Sequence, residues 1–79
     1  MSFYVYAIES ASGAIYVGHT ADVSKRISQH NAGRVGSTKA RRPWSLLKTH
    51  VFATRSEARW FERRLKESRG RRERWLGHQ

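Results

Sequence analysis

The first twenty residues of the chain carry no lysine or arginine and a single acid, Glu9, whereas all sixteen basic residues fall in the positions that follow. So charge-poor, apolar and aromatic a stretch in so basic a chain reads as its core, with the basic surface built by the residues that follow. Phe3-Tyr4-Val5-Tyr6-Ala7-Ile8 is aromatic and β-branched and is bounded by the turn-like Ser10-Ala11-Ser12-Gly13. Ala14-Ile15-Tyr16-Val17-Gly18 continues in the same character, so the two runs are predicted to form a β-hairpin. Strand side chains alternate, which puts Tyr4, Tyr6 and Ile8 on one face and Phe3, Val5 and Ala7 on the other.

At 79 residues there is room for one small domain, 1–79, and the formal charge of +10 points to a polyanionic partner. Leu, Ile, Val and Phe are sparse for a folded chain, but three Trp and three Tyr add enough apolar surface for a modest core. No apolar run approaches the ~20 residues of a membrane span. The absence of cysteine excludes disulfides, a thiol nucleophile and a thiolate metal site. The opening Met1-Ser2-Phe3-Tyr4 lacks the order of a secretory signal, so a cytoplasmic location and no membrane association are expected.

Asp22 is placed to cap a helix that carries Val23, Ile27 and the pair Arg26/His30 one turn apart, closed by Gly33. Gly33 to Pro43 has no periodicity and reads as a flexible basic loop, followed by a third strand over Trp44–Phe52. Thr54-Arg55-Ser56-Glu57 fits a capping box, so a second helix should start there and run to Gly70, with a short basic turn over 71–76. On a wheel of about 100° per residue with Ala58 at zero, Leu65 falls near ~340° and Glu62 near ~40°. Glu62 is thus the one carboxylate at the edge of the buried stripe. His50 and His78 have nothing organised around them.

Each chemistry-bearing group admits a plain reading beside a functional one. Tyr6 and Tyr16 are either strand aromatics or site phenols, with Gly18 permitting a close approach. Arg26 and His30 are either a solvated helix face or a phosphate contact with a proton carrier. Glu62 is either paired with an arginine or a metal ligand. Six scattered acids do not suit a two-metal site, so any metal is one hydrated ion on one carboxylate and the substrate phosphate, the habit of Mg²⁺. No zincin, P-loop or dinucleotide motif is present.

Taken in order, Tyr4-Val5-Tyr6, Tyr16-Val17-Gly18, Arg26, His30-Asn31 and a capped helix bearing Glu62 resemble the GIY-YIG nuclease superfamily. The likeness is to its small stand-alone bacterial members, related to the N-terminal domain of the excision-repair incision nuclease, and covers a core of about residues 3–69. Tyr4 stands where the family name has its first glycine, and no Asn follows Glu62. The resemblance implies an α+β fold: a small three-stranded antiparallel β-sheet flanked by α-helices. It also implies divalent-metal-dependent hydrolysis of phosphodiester bonds in nucleic acid, DNA in the first place, in repair or recombination.

In those terms Tyr6 and Tyr16 belong to the two name-giving motifs, one of them activating the attacking water. Arg26 matches the arginine on the scissile phosphate, His30 the position one turn on, His19 a position where some members carry Lys, and Glu62 the ligand of one Mg²⁺ or Mn²⁺. A phenol of reference pKa ~10 is a poor base at neutral pH, so Tyr6 or Tyr16 would need a neighbouring cation, such as Arg26 or His30, to lower it. Arg34, Lys39, Arg41 and Arg42 are expected to grip backbone phosphates, with Trp44 stacking on an unpaired base. Specificity is expected to be low or supplied by a protein partner. The competing reading is a catalytically weak or inactive nucleic-acid-binding module on the same scaffold.

Overall fold

The hairpin forms where the uncharged segment predicts it. The computed structural model describes residues 1–77, with β1 over Phe3–Ser10 and β2 over Ile15–Thr20. Gly13 turns the chain at φ +89, a left-handed conformation that suits glycine, while Ser10 and Ala14 close the turn through their backbones. After helix α1 (Val23–Asn31) and a short 3₁₀ turn at Lys39–Arg41, β3 (Trp44–Phe52) pairs with the free side of β1. The antiparallel order is β2-β1-β3, so the aromatic segment becomes the central strand. Helices α2 (Arg55–Glu67) and α3 (Arg69–Leu76) complete the α+β architecture.

The predicted alternation divides the core in two. Val5, Ala7 and Val17 pack with Ala58 and Leu65 of α2, and Phe61, Trp75 and Leu76 border them. On the opposite face Tyr6, Ile8 and Trp44 pack with Tyr16 and with Ile27 of α1. The register between β1 and β3 shifts at Ala7/Ile8, where Leu47 is the extra residue of a bulge.

Capping decides the helix ends. Asp22 accepts from the Lys25 backbone, and Gly33, at φ +78, follows the end of α1. Both halves of the Thr54/Glu57 capping box are formed. The second helix, however, does not reach Gly70. Ser68 takes extended backbone, ends α2, and accepts from the Arg71 backbone to start α3, so Gly70 lies inside a new helix. A serine can cap a helix start, and this one folds Trp75 back onto Phe61, with ring centroids 5.7 Å apart. His50 also has organised surroundings, at 4.8 Å from the Phe52 ring and 5.5 Å from Phe61. His78 lies outside the described residues.

The basic segment between α1 and β3 is pinned where a flexible loop was expected. Asn31 accepts from the Trp44 backbone at 2.7 Å and donates to its carbonyl at 3.0 Å, imitating a strand pairing. Arg42 donates to the carbonyls of Lys39 and Asn31.

Candidate active site

Tyr6 is the residue around which the site is built. It lies opposite Gly18 on β2, and its buried ring passes so close that a Cβ at Gly18 would stand 2.6 Å from its hydroxyl. Gly18→Ala is therefore expected to cost about 1–3 kcal/mol by overpacking, read as a lower midpoint in thermal denaturation; an unchanged midpoint would show that the tyrosine yields freely.

From Tyr6 a chain of hydrogen bonds runs inward. Its hydroxyl is 2.8 Å from His30 Nε2, and His30 Nδ1 is 2.7 Å from Thr38 Oγ1. The Thr38 hydroxyl donates onward to the Val35 carbonyl, so it accepts from His30 Nδ1–H. His30 is thereby fixed as the tautomer whose Nε2 accepts from Tyr6. Burial, with Arg26 adding to it, holds His30 below its ordinary 6.5. Burial likewise pushes the Tyr6 phenol up to about 12, outweighing the Arg26 guanidinium beside it, which acts to lower it. The lowering that a base would need is therefore not met at Tyr6: desolvation is the larger effect, and Tyr6 is a neutral donor at neutral pH.

The His30 shift has a consequence for stability. The unfolded imidazole takes a proton near 6.5 and the folded one only at lower pH, so between those values the unfolded chain binds more protons. Stability is then complete above 6.5 and falls as the pH drops. Thermal melts from about pH 7.5 to about pH 5.5 should show a steeper decline for wild type than for His30→Gln. Glu62, held below 4.5, stays ionised throughout that window. Equal slopes would remove His30 as the cause.

Tyr16 sits on the same face as Tyr6, its ring 5.0 Å from His30 and 6.4 Å from Tyr6. It is only half-buried, and among the described residues no hydrogen bond engages its hydroxyl. The Lys66 ammonium lies 5.5 Å from the centre of its ring.

Glu62 comes from α2, where its helical phase brings it to the edge of the sheet with 17% of its side chain exposed. His19 Nδ1 donates to Oε1 at 2.5 Å and Lys66 Nζ approaches Oε2 at 2.7 Å. Burial raises this carboxyl, but the bonds and charges of Lys66 and His19 outweigh it and leave the group below its ordinary range. It lines an open cleft with His19, Arg59, Arg63, Lys66 and Glu67. His19 also lines a second cleft with Arg26, Lys25 and Arg55, so one β2 side chain joins the two halves of the site.

Among the described residues no three His, Cys, Asp or Glu side chains gather to cage a metal. One ionised carboxylate at an open cleft fits a hydrated hard cation that takes its other ligands from water and phosphate. Lys66 already places positive charge against that carboxylate.

The structure thus brings together Tyr6, Tyr16, Arg26, His30, His19 and Glu62. Arg34, Lys39, Arg41 and Arg42 stay exposed on the pinned segment, with Arg42 engaged in holding it. Trp44 requires correction: it is 6% exposed, and its indole donates to the Thr38 carbonyl, which leaves no face for a base. Lys66 and Thr38 were missed. Lys66 stands one helical turn from Glu62, a signal visible in the sequence; nothing local marks Thr38 as the support of His30.

The chain is similar to known proteins over most of its length. The family model of the GIY-YIG catalytic domain matches residues 2–74. The UPF0213 protein of Halobacterium salinarum is 42% identical over 65 residues, covering 81% of this chain and 84% of the relative. The UPF0213 protein of Bacillus pumilus is 42% identical over 64 residues, covering 80% of this chain but 65% of the relative's length. The solution NMR structure of the UPF0213 protein BH0048 from Bacillus halodurans superposes with a TM-score of 0.62 at 35% identity, covering 98% of this chain and 84% of that one. Among the described residues no helix is long and apolar enough to cross a membrane. With the family model matching residues 2–74 and a relative 42% identical over 81% of this chain, the chain belongs to the GIY-YIG family, a nuclease superfamily.

Proposed function

We propose that this chain, acting as one GIY-YIG domain, is a divalent-metal-dependent nuclease that hydrolyses phosphodiester bonds in nucleic acid, DNA in the first instance, within repair or recombination. The observation that carries the reading is an ionised, half-buried carboxylate, Glu62, set in an arginine-lined cleft; its partner Lys66 also reaches the ring of Tyr16, a phenol with no hydrogen bond among the described residues. In so basic a cleft a carboxylate opposes polyanion binding, so it needs a role other than affinity.

Glu62 would hold one Mg²⁺ or Mn²⁺, which when bound polarises the scissile phosphate and steadies the leaving oxygen. Arg26 supports the charge developing on the phosphate. Tyr16 acts as the phenolate: it orients the attacking water, takes its proton and returns to the phenol, with Lys66 supplying a positive charge beside the ring. Tyr6 and His30 hold that face rigid from below, and His19 holds Glu62. Arg34, Lys39 and Arg41 contribute phosphate contacts at longer range.

The test uses purified protein, Mg²⁺ and a panel of branched, flapped and single-stranded DNA. Nicks that vanish in Glu62→Ala and Arg26→Ala support the reading. If wild type and both variants bind equally and leave every substrate intact, the chain is a nucleic-acid-binding module without catalysis.

A further inference from the structure

Trp60 stands 60% exposed on the outer face of α2. It does not stand in neutral surroundings. The Arg64 guanidinium lies 5.3 Å from its ring centre. Ser56, Arg59 and Arg63 make a shallow furrow with it. Arg59 and Arg63 also wall the cleft that holds Glu62, so the furrow and the cleft adjoin across these two arginines. A track of guanidinium groups therefore leads from the carboxylate to an exposed indole.

We infer that this outer face of α2 carries a single nucleic-acid strand away from the site, its phosphates on Arg59 and Arg63 and one unpaired base stacked on Trp60. The inference rests on the nuclease reading of the cleft and adds a substrate class: a strand whose bases are unpaired beside the point of cutting. Charge complementarity names the occupant, because two arginines link the cleft to the indole and suit a phosphodiester backbone. The indole adds what phosphate contacts do not require, an aromatic surface for a base, and a base inside a duplex is not free to take it. The buried Trp44 offers no such surface.

The experiment is fluorescence anisotropy in EDTA, which keeps the probes whole, with a labelled oligothymidylate and an abasic strand of equal length. Trp60→Ala is expected to weaken oligothymidylate binding roughly 5- to 150-fold. Trp60→Phe keeps a stacking ring and should stay near wild type. Neither substitution should alter binding of the abasic strand, on which only phosphates are available. Unchanged oligothymidylate binding by Trp60→Ala, or an equal loss on both probes, overturns the inference. Cleavage in Mg²⁺ separates the two claims. Cutting with Trp60-independent binding ends this inference and leaves the nuclease reading standing; Trp60-dependent binding without cutting by wild type does the reverse.

Discussion

Glu62→Gln is expected to slow single-turnover cleavage by about three orders of magnitude or more while leaving nucleic-acid binding intact or slightly tighter. The substitution preserves size and keeps an acceptor oxygen for one of the two donors, His19 or Lys66, but removes the negative charge. Loss of a metal's electrostatic support is worth several kcal/mol, and about 1.4 kcal/mol corresponds to each factor of ten in rate. Binding should move the other way, because this carboxylate, like Glu67, repels phosphate in a cleft otherwise lined by Arg59, Arg63, Lys66 and His19. Single-turnover kinetics with saturating protein, alongside anisotropy, separates the two quantities. A variant that loses binding and cleavage in proportion would mark Glu62 as a structural partner of Lys66 and His19 alone.

The two tyrosines should fail in opposite ways. Tyr16→Phe removes a hydroxyl that bonds to nothing among the described residues, so stability should change by no more than about 0.5 kcal/mol. Cleavage should slow by roughly 10²- to 10⁴-fold, the range for loss of a general base. Tyr6→Phe instead leaves His30 Nε2 as a buried acceptor without its donor, at about 1–3 kcal/mol. Its signature is a lower melting midpoint, with activity recovering as the temperature is reduced. Cleavage rates of Tyr16→Phe beside melting curves of both variants decide the matter. A stable, fully active Tyr16→Phe would remove that phenol from the chemistry.

Much of this architecture is legible because it follows from local rules. Strand alternation sorted Tyr4, Tyr6 and Ile8 from Phe3, Val5 and Ala7, and the structure divides its core along that line. The Thr54/Glu57 box and the Asp22 cap are set by residues three positions apart, and both formed. The phase of Glu62 relative to Ala58 was enough to place it at the edge of the core. Arg26 and His30 were legible as a pair but not in their division of labour. His30 turns inward to Tyr6 and Thr38, while Arg26 lines the cleft.

The failures share a cause, which is contact at long range. Nothing near Trp44 in a basic segment announces that Asn31 will clamp its backbone and the Thr38 carbonyl will take its indole. Ser68 reads as part of a helix end until Trp75 is seen packed against Phe61, which requires the chain to break and restart there. The +10 charge behaves in the same way. It announced a polyanion, yet only the fold shows that Arg59 and Arg63 of α2 stand between Glu62 and Trp60.

The most direct test needs only the wild-type protein and one end-labelled single strand, run beside the branched and flapped substrates. The strand is incubated first with EDTA and then with Mn²⁺ in excess over the chelator, and its length is followed on a denaturing gel. The result expected is an intact strand in EDTA and a cut strand once Mn²⁺ is present. If this strand and the branched and flapped substrates all stay intact under both conditions, or are cut equally in both, a metal-dependent phosphodiesterase is contradicted.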